Sequence, residues 1–460
     1  MKGLEISIVK LSELNEEHRI DAEYFSKYNL ILIKKLLNFG TVSVETMSEN
    51  VTDGIHTSID YDENSKINLI SATSPKENIF DLSRGAFISE KAHNANFRTS
   101  LKVNDVVVST VGTIGNCAVV DELVLPANTD RHVGIIRLKN NYSPYVLSTF
   151  LLSKYGRVQT LREATGNVQL NLFIYKLKEL RIPLFSQTFQ SQIEQIVKSA
   201  HGKLADSKSL YSQAEDLLLR ELRLKDWQPD DSTVNIRNLK ESFLRTGRLD
   251  SEYYLPRYED YVRLVEQYRG GYGEFRAVCA TDEVNYMPSV NTEYKYIELG
   301  NIGNYGEITG CTVAAGKDLP SRARRLVHEN DVILSSVEGS LQSCALVTSE
   351  YENAVCSTGF YVVRSDVMNP ETLLMLFKSE PMQSLFKRNC TGTILTAISH
   401  NELQKIVMPK IRTEVQSEIA KNVRKSISLR NEAKSLFENA KQKVEDSIES
   451  KFILGGGTSE

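Results

Sequence analysis

The feature that most constrains the fold is a duplication that spans nearly the whole chain of 460 residues. The sequence RIDAEYF at residues 19–25 returns as RLDSEYY at residues 248–254, and 248 − 19 gives an offset of 229. NDVVVSTV at 104–111 returns as NDVILSSV at 330–337, and 331 − 105 gives an offset of 226. An offset that drifts so little predicts one module present twice, with a period too long for a solenoid.

The predicted elements follow the same order in both copies. A helical stretch (22–38 and 251–268) comes first, and short strands and turns follow, of which 106–110 and 332–336 are the strongest strands. A turn comes next, GTIG at 112–115 or EGS at 338–340, and then a short helix begins near a proline. Landmarks at the offset of 226 continue along the chain: Pro144 with Pro370, Thr165-Gly166 with Thr391-Gly392, Pro183 with Pro409, and Gln190 with Gln416.

Each copy ends in apolar or small residues spaced alternately by four and three, which is typical of helices that pack on each other. The two predicted seams are Ile193, Val197, Ala200, Leu204, Ser207, Tyr211, Ala214 and Leu218, and then Ile419, Val423, Ser426, Arg430, Ala433, Phe437, Ala440 and Val444. One interpretation packs each helix only on its own domain. We favour one antiparallel coiled coil, because neither seam has an obvious partner elsewhere in the sequence.

The predicted fold is α+β, with two similar domains related by pseudo-twofold symmetry and separated by two long helices that form an antiparallel coiled coil. The predicted boundaries are 1–186 for the first domain, 187–224 for the central spacer helix, 225–240 for a polar linker, 241–411 for the second domain, 412–453 for the C-terminal spacer helix and 454–460 for a disordered tail.

Composition excludes several classes of protein. With 41% hydrophobic and 25% charged residues, the chain has the composition of a soluble globular protein. It has no apolar run of the roughly 20 residues that a membrane helix needs, and its first residues do not resemble a signal peptide, so we expect a cytoplasmic location. The 6 cysteines stand far apart without nearby histidines, which predicts reduced thiols and no metal site.

Motifs for catalysis are absent from the sequence. It contains no Asn/Asp-Pro-Pro-Tyr/Phe loop of adenine methyltransferases, no G-x-G-x-x-G dinucleotide loop, no G-x-x-x-x-G-K-[ST] loop for nucleotide hydrolysis, and neither H-E-x-x-H nor G-x-S-x-G. Pro229-Asp230 and the following Glu293-Tyr294-Lys295 lie 63 residues apart, too far for a nuclease motif. We therefore predict that the chain has no catalytic residues.

Polar loops beside the strongest strand of each copy are candidates for contacts with duplex DNA, because Arg and Lys suit guanine and phosphate while Asn and Gln suit adenine. The net charge of −4 does not favour DNA binding by the chain as a whole, so any attraction to phosphates must come from cations grouped on one face. Ordinary solvated loop residues are the alternative interpretation. The candidates are Lys91, Asn94, Asn96, Arg98, Thr113, Arg131, Asn167 and Gln169 in the first copy, and Lys317, Arg322, Arg324, Arg325, Ser340 and Thr393 in the second.

The chain resembles the specificity subunits of type I restriction–modification systems over residues 1–452. The resemblance rests first on the order of predicted elements, which occurs twice and ends each time in a long helix. It rests also on four short motifs: VTDGIH at 51–56, NDVVVS at 104–109 with GTIG at 112–115, PSRARR at 320–325 ahead of NDV at 330–332, and STGF at 357–360. One departure is Glu338, which stands in the second copy where the first has the GTIG turn, and an acidic residue there disfavours a phosphate contact.

The resemblance implies two target-recognition domains, each reading one half of an asymmetric, bipartite DNA site. It implies two modification subunits that carry the adenine methyltransferase site, and restriction subunits that hydrolyse ATP. S-adenosylmethionine, ATP and Mg would be bound by those partner subunits and not by this chain. Two alternatives stay open: a specificity subunit of a type II-like or nuclease-free defence methyltransferase, and an interaction scaffold that does not bind DNA.

The two helices predict how the spacer of the DNA site depends on the protein. Inserting four residues in both helices adds about 6 Å of length. We expect a longer spacer between the half-sites while both half-sites stay the same, which sequencing of methylated bases would measure. An unchanged methylation motif would contradict the predicted role of the helices.

Overall fold

The structure is a computed structural model that describes residues 5–11, 14, 19–83, 85–166, 168–225, 227–282, 284–392 and 396–455, with side chains as far as residue 450. Its contacts divide the chain into two compact units. Unit 1 comprises Met1–Leu204 with Asn431–Glu460, and unit 2 comprises Ala205–Arg430. Both long helices therefore contribute one part to each unit.

Unit 1 combines helices with four small sheets. Its helices are α1 (Lys27–Phe39), α2 (Val44–Met47), α3 (Glu90–Ala95), α4 (Pro144–Leu152), α5 (Lys154–Glu163), α6 (Ile174–Glu179) and the first part of α7 (Gln187–Glu221). Its strands are β1 (Thr41–Ser43), β2 (Ser48–Asp53), β3 (Ile67–Ile70), β4 (Pro75–Lys76), β5 (Ile79–Phe80), β6 (Ala86–Ile88), β7 (Val106–Ser109), β8 (Cys117–Val119), β9 (Ala127–Thr129), β10 (Val133–Leu138) and β11 (Arg181–Pro183).

The central sheet of unit 1 has the strand order β2-β10-β7-β8 and is antiparallel throughout. A second sheet has the order β6-β3-β9, in which β3 and β9 run parallel. Strands β1 and β11 pair with each other, as do β4 and β5. The core lies between the central sheet, α1, α4 and α5, and it includes the fully buried Phe150 and Leu36.

Unit 2 repeats this architecture with its own strands. Its helices are α8 (Phe243–Thr246), α9 (Pro256–Glu266), α10 (Phe275–Val278), α11 (Pro370–Lys378), α12 (Glu380–Arg388), α13 (His400–Leu403) and the first part of α14 (Thr413–Gly455). Its strands are β12 (Tyr272–Glu274), β13 (Ala280–Asp282), β14 (Glu293–Ile297), β15 (Thr312–Ala315), β16 (Ala323–Leu326), β17 (Val332–Ser335), β18 (Cys344–Leu346), β19 (Val355–Ser357), β20 (Phe360–Arg364), β21 (Cys390–Thr391), β22 (Ala397–Ile398) and β23 (Val407–Pro409).

The main sheets of the two units match strand for strand, and their second sheets match in part. The central sheet has the order β13-β20-β17-β18, and β12 pairs with β23. The second sheet, β15-β14-β19-β16, again contains one parallel pair, β14 with β19. A short hairpin, β21-β22, has no named counterpart in unit 1. The repeated α+β module predicted from the sequence is thereby confirmed.

The Asn-Asp landmark has a structural cause in both units. Asn104 and Asn330 adopt a left-handed backbone, with φ of 71° and 72°, which asparagine tolerates better than most residues. The next residue, Asp105, is 1% exposed and accepts hydrogen bonds from Arg137 of β10 at 2.8 and 2.6 Å. Asp331 accepts equivalent bonds from Arg364 of β20. This ion pair, in which the carboxylate is buried, joins the two central strands of each main sheet.

The glutamine landmark also has a defined role. Gln190 lies at the start of α7, where its side-chain oxygen accepts the Ser143 amide at 2.9 Å and its side-chain nitrogen donates to the Phe185 carbonyl. Gln416 makes the same two contacts in unit 2, with the Asn369 amide and the Ile411 carbonyl, both at 2.8 Å. Each glutamine therefore connects the start of a long helix to the start of the short helix α4 or α11.

The long helices pack against each other within each unit. In unit 1, the His201 ring lies 5.5 Å from the Phe437 ring and Lys203 pairs with Glu432, so residue numbers rise on α7 as they fall on α14. The fully buried Ala440, Val444 and Ile448 of α14 join the same core as Ile193 and Val197 of α7. This contact is antiparallel, as the spacing predicts.

In unit 2, the helices meet through small and polar residues as well as apolar ones. The Ser207 hydroxyl lies 2.8 Å from the Ser426 hydroxyl, and both residues are buried. Tyr211, Ala214, Leu218, Ile419 and Val423 join one core with the domain. Glu221 lies near the end of α7. Its pKa is lowered to about 2, mainly because the Arg412 guanidinium donates hydrogen bonds to its carboxylate. Of the predicted seam residues, Leu204 and Phe437 are half-buried.

Two predicted helices begin later than the sequence pattern indicated. The stretch predicted at 22–38 begins as α1 at Lys27, because Asp21 accepts the Tyr24 amide and Ser26 caps the helix. The Tyr24 ring also lies between two guanidinium groups, Arg19 at 4.5 Å and Arg162 at 3.6 Å. In the second copy, 251–254 form one 3₁₀ turn and α9 begins at Pro256. The prediction for both starts was wrong.

The other predicted elements differ from the structure by a few residues. Strands predicted at 106–110 and 332–336 are β7 and β17, each ending one residue earlier. The helix predicted at 187–224 is α7, and the one predicted at 412–453 is α14. The polar linker has no helix or strand among the described residues of 225–240, and the predicted tail lies outside the described residues from 456 onwards. Among the helices that the described residues form, none is long and apolar enough to cross a membrane.

The shared core predicts that a substitution near the end of the chain destabilises unit 1. Ile448 is fully buried on α14, and Ile448→Ala should lower the free energy of unfolding of unit 1 by about 2–5 kcal/mol, because a cavity is left in the core. Hydrogen exchange at β7 amides measures this. Gln442→Ala, an exposed position on the same helix, serves as the control. Equal protection of β7 in both variants would show that α14 is dispensable for unit 1.

Candidate nucleic-acid interface

Three segments of unit 1 meet beyond the ends of β7 and β9. The Thr110 amide donates to the His132 carbonyl at 3.0 Å, and the Leu172 amide donates to the Thr110 carbonyl at 2.8 Å. Thr165 and Asn171 pair with each other, and Asn171 also bridges to Val111. We call the described residues of 110–113, 130–132 and 165–171 the polar edge of unit 1.

The same backbone contacts occur in unit 2. The Ser336 amide donates to the Gly359 carbonyl at 2.9 Å, and the Ile398 amide donates to the Ser336 carbonyl at 2.8 Å. Val337 bridges to Ala397, and Thr391 of β21 pairs with Ala397 of β22. We call the described residues of 336–340, 357–359 and 391–398 the polar edge of unit 2. The two polar edges share these backbone contacts and differ in their side chains.

The GTIG turn belongs to the polar edge of unit 1 and is held by glycine conformation and by one arginine. Gly112 and Gly115 have φ of 72° and 80°, and Ile114 between them is buried. Arg157 of α5 donates to the Ile114 carbonyl at 3.0 Å. Thr113 is exposed, with its hydroxyl donating to the Ala72 carbonyl. The turn presents Thr113 to solvent on a fixed backbone.

The equivalent turn in unit 2 is built differently. Residues Glu338–Ser340 form one 3₁₀ turn. The Ser340 hydroxyl lies 2.9 Å from that of Ser335, so this candidate residue supports the turn. Glu338 donates its amide to the Thr396 carbonyl, which keeps an acidic residue at this edge. Thr393 lies outside the described residues.

The segment after β9 adds charged residues to the polar edge of unit 1. Asp130 accepts the His132 amide at 2.8 Å, and burial raises the pKa of Asp130. Arg131 is exposed, and its Nε donates to the His132 ring at 3.2 Å. Gly54 packs so tightly on Asp130 that a Cβ there would lie 2.0 Å from the Asp130 carbonyl oxygen. The VTDGIH motif therefore has a packing role beside this edge.

Arg98 also lies beside the VTDGIH motif. Its guanidinium contacts the Thr52 hydroxyl, the Gly54 carbonyl at 3.2 Å and the Asp53 carboxylate at 3.5 Å, while its side chain stays 56% exposed. His56, also exposed, contacts the other oxygen of Asp53 at 2.6 Å. Arg98 is thus an anchored cation that keeps solvent access, which suits a phosphate contact.

The remaining candidates before β7 separate into exposed and structural residues. Lys91 and Asn94 are exposed on α3 and not in a loop as predicted. The Asn96 side chain donates to the Ala92 carbonyl at the end of that helix. Asn128 is fully buried in β9 and donates to the Thr99 hydroxyl and to the Asn96 carbonyl. Its neighbourhood is a buried hydrogen-bond network, because β9 pairs with β3 on one side and Asn128 bridges to Ser100 on the other.

The hairpin at 165–171 forms the third part of the polar edge of unit 1. Gln169 is exposed near its tip, and the neighbouring Val168 and Leu170 are exposed too. Asn167 lies outside the described residues. The sequence singled out only the amides of this hairpin, because an apolar residue in a polar loop gives no signal of exposure by itself.

The basic run at 317–325, which contains the candidates Lys317, Arg322, Arg324 and Arg325, does not lie in one polar loop as predicted. Residues 323–326 form β16, because they pair with β19. Lys317 follows β15, and β15 and β16 are the opposite edges of the four-stranded sheet. Arg324 and Arg325 are half-buried in β16, whereas Arg322 is exposed and pairs with Glu298 at 3.7 Å. The Thr358 amide donates to the Arg322 carbonyl at 2.8 Å, so Arg322 adjoins the polar edge of unit 2.

The described part of the chain is thus a duplicated α+β protein with two polar edges and two long helices. No family model matches it. A curated relative, the specificity subunit of type I restriction enzyme HindI from Haemophilus influenzae, is 24% identical over 179 residues, which is 36% of this chain and 38% of the relative. This similarity confirms the resemblance found in the sequence. The match spans well under half the length of that relative.

Two solved structures are similar over most of the chain. The S subunit of a type I restriction–modification system from M. genitalium is 12% identical, with a TM-score of 0.42, covering 89% of this chain and 95% of that one. The HsdS subunit from Thermoanaerobacter tengcongensis is 12% identical, with a TM-score of 0.27, covering 90% and 96%.

The geometry of the GTIG turn predicts that alanine substitution destabilises unit 1 by different amounts at its two glycines. Gly112→Ala should lower the free energy of unfolding of unit 1 by about 1–2 kcal/mol through the left-handed backbone alone, because its Cβ would meet no atom within 4 Å. Gly115→Ala should cost more, because its Cβ would also lie 2.5 Å from the Thr160 hydroxyl. Denaturant unfolding of the two variants measures the difference. Equal costs would contradict the packing of this turn on α5.

Proposed function

We propose that this chain is the DNA sequence-specificity subunit of a type I restriction–modification complex. Each target-recognition domain reads one half of an asymmetric, bipartite site with its polar edge. The chain contributes no catalytic group and positions the subunits that do. The observation that carries the proposal is that the two polar edges are held by equivalent backbone contacts but carry unlike turns and unlike side chains, such as Thr113 in unit 1 and Glu338 with Ser340 in unit 2.

Unlike side chains on equivalent backbones are what a reader of two different half-sites requires. Base edges are distinguished by the donors and acceptors that face them, while the supporting fold only sets their position. Unit 1 offers Thr113, Arg131 and Gln169 at its edge, and unit 2 offers Arg322 beside its edge. Two identical edges would read a symmetric site, so the difference between the edges favours an asymmetric one.

The charge distribution supports a role within an assembly. The chain carries a net charge of −4, so attraction to phosphates comes from a few exposed cations such as Arg98 and Arg131. Stable binding then requires further cations from partners. We propose two methyltransferase subunits and additional restriction subunits as those partners, with S-adenosylmethionine, ATP and Mg bound by them.

Substitution of one edge cation tests the proposal. In the assembled complex, Arg131→Ala should weaken binding to the target duplex about tenfold and reduce the salt dependence by about one phosphate contact. Arg131 is exposed two residues after β9. Fluorescence anisotropy at several salt concentrations measures both quantities.

Lys66 provides the matched control for Arg131. It is exposed in the same unit, but it precedes β3, and β3 runs parallel to β9, so it lies at the opposite end of that sheet. Lys66→Ala should leave the affinity for DNA and its salt dependence unchanged. If both variants lost the same affinity for DNA, Arg131 would contribute only nonspecific electrostatic attraction. If neither variant lost affinity, the polar edge would not be the DNA interface.

A further inference from the structure

The motif RIDAEYF, which the duplication repeats as RLDSEYY, is the centre of an aromatic–cation contact in unit 1. Two guanidinium groups contact the Tyr24 ring, with Arg19 at 4.5 Å and Arg162 at 3.6 Å from the ring centroid. The Asp21 carboxylate accepts a hydrogen bond from Arg19 at 2.8 Å and another from the Tyr24 amide at 2.9 Å. The Arg, Asp and Tyr of the motif therefore act together. We call Arg19, Tyr24 and Arg162 the tyrosine cluster of unit 1.

Unit 2 contains the same contact. The Tyr253 ring is contacted by Arg248 and Arg388, each 4.4 Å from the ring centroid. Asp250 again accepts hydrogen bonds from the arginine of the motif, at 2.8 and 2.6 Å. A cation over an aromatic face is stabilising, and more so where water is excluded, and the side chains of Arg19 and Arg248 are each only 18% exposed. We call Arg248, Tyr253 and Arg388 the tyrosine cluster of unit 2.

The cluster of unit 1 lies where the hairpin of the polar edge begins. Arg162 lies one residue before the end of α5, and its Nε donates to the Tyr24 carbonyl at 3.0 Å. Arg19 donates in turn to the Arg162 carbonyl at 2.7 Å. The hairpin at 165–171 begins three residues after Arg162. The cluster therefore attaches the end of α5 to the segment before α1, at the point where the chain enters the hairpin.

The cluster of unit 2 is placed in the same way. Arg388 is the last residue of α12, and its Nε donates to the Tyr253 carbonyl at 3.1 Å. Arg248 donates to the carbonyl of Cys390, the first residue of β21, at 3.2 Å. Because β21 pairs with β22, the hairpin of unit 2 starts at the residue that the cluster holds.

The other end of each hairpin is attached to the main sheet instead. In unit 1 the Leu172 amide donates to the Thr110 carbonyl. In unit 2 the Ile398 amide donates to the Ser336 carbonyl. A two-stranded hairpin is marginally stable by itself, so its position depends on attachments at both ends. Without the cluster, one attachment is lost, and exposed side chains of the hairpin such as Gln169 no longer keep one position.

We propose that the tyrosine cluster of each unit positions the hairpin of its polar edge against the DNA bases, and so determines how well one half-site is discriminated. This role rests on the proposed function and adds residues outside the polar edges to those that determine specificity. Reading a base requires a donor or acceptor within hydrogen-bond distance of its edge, whereas phosphate contacts carry no sequence information. Exposed cations such as Arg98 and Arg131 lie on other segments, so general attraction to the duplex does not depend on the clusters.

The test uses the assembled complex and three duplexes: the target mapped by its methylated adenines, and two copies in which one half-site or the other is scrambled. Fluorescence anisotropy measures the affinity for each, and the wild-type complex should bind both scrambled duplexes more weakly than the target. Tyr24→Leu should lower the discrimination against one scrambled duplex by about tenfold, the contribution of one base contact. Tyr253→Leu should lower the discrimination against the other scrambled duplex by a similar factor.

Two controls separate positioning from folding. Tyr24→Phe retains the ring that both guanidinium groups contact and loses the hydroxyl that meets Glu163 at 3.2 Å, so it should keep wild-type discrimination. Thr165 and Asn171 exchange backbone hydrogen bonds, and in Tyr24→Leu without DNA their amides should exchange faster while those of β7 stay unchanged. Arg19→Met, at a more exposed residue than Tyr24, should reproduce the faster exchange and the lower discrimination.

The possible outcomes separate this role from the function on which it rests. Unchanged exchange in the hairpin, or faster exchange with unchanged discrimination, would overturn the positioning role and leave the proposed function intact. An equal loss of affinity for all three duplexes would overturn it too, because the cluster would then support binding without regard to sequence. If Tyr24→Leu and Tyr253→Leu affected the same half-site, the clusters would not act on separate halves. A wild-type complex that binds the three duplexes equally would contradict the proposed function itself.

Discussion

The packing of α7 on α14 is the constraint on which the rest of the structure depends. Neither unit has a complete core without a part of each helix, since Val444 and Ile448 of α14 are buried with Val197 of α7 in unit 1. In unit 2, Ile419 and Val423 of α14 are buried with Leu218 of α7. Residues from distant parts of the chain are therefore needed to close each hydrophobic core. Each long helix therefore contributes buried residues to the cores of both units.

The main sheet of each unit supports the polar edge of that unit. The ion pairs of Asp105 with Arg137 and of Asp331 with Arg364 join the two central strands, and in each pair the carboxylate is buried while the arginine keeps solvent access. Loss of either arginine would leave a buried carboxylate without its partner, so we expect these positions to be sensitive to substitution. The polar edges of the two units begin directly after β7 and β17 and carry exposed side chains such as Thr113. Under the proposed function, this division would allow the DNA sequence that is read to change while the fold is retained.

Much of the fold was predictable because its signals are local. Prolines mark the first residues of α4 and α11, Asn-Asp marks the start of β7 and β17, and the spacing of four and three marks the long helices. The duplication made each signal visible twice. These features need no knowledge of distant residues, which is why sequence reasoning found them.

The site was harder to predict because its geometry depends on contacts between distant segments. The start of α1 is delayed where Tyr24 packs between Arg19 and Arg162, a partner more than a hundred residues away. The basic run was split because sheet order places β15 and β16 at opposite edges.

The central claim is that two unlike polar edges read two unlike halves of one DNA site. The most direct measurement is a map of methylated adenines in the DNA of cells that express the complete complex, compared with cells that lack only this chain. The account predicts methylation at a split motif with two different halves and an unspecified spacer, and its loss without the chain. A continuous or palindromic motif, or methylation that persists without the chain, would contradict it.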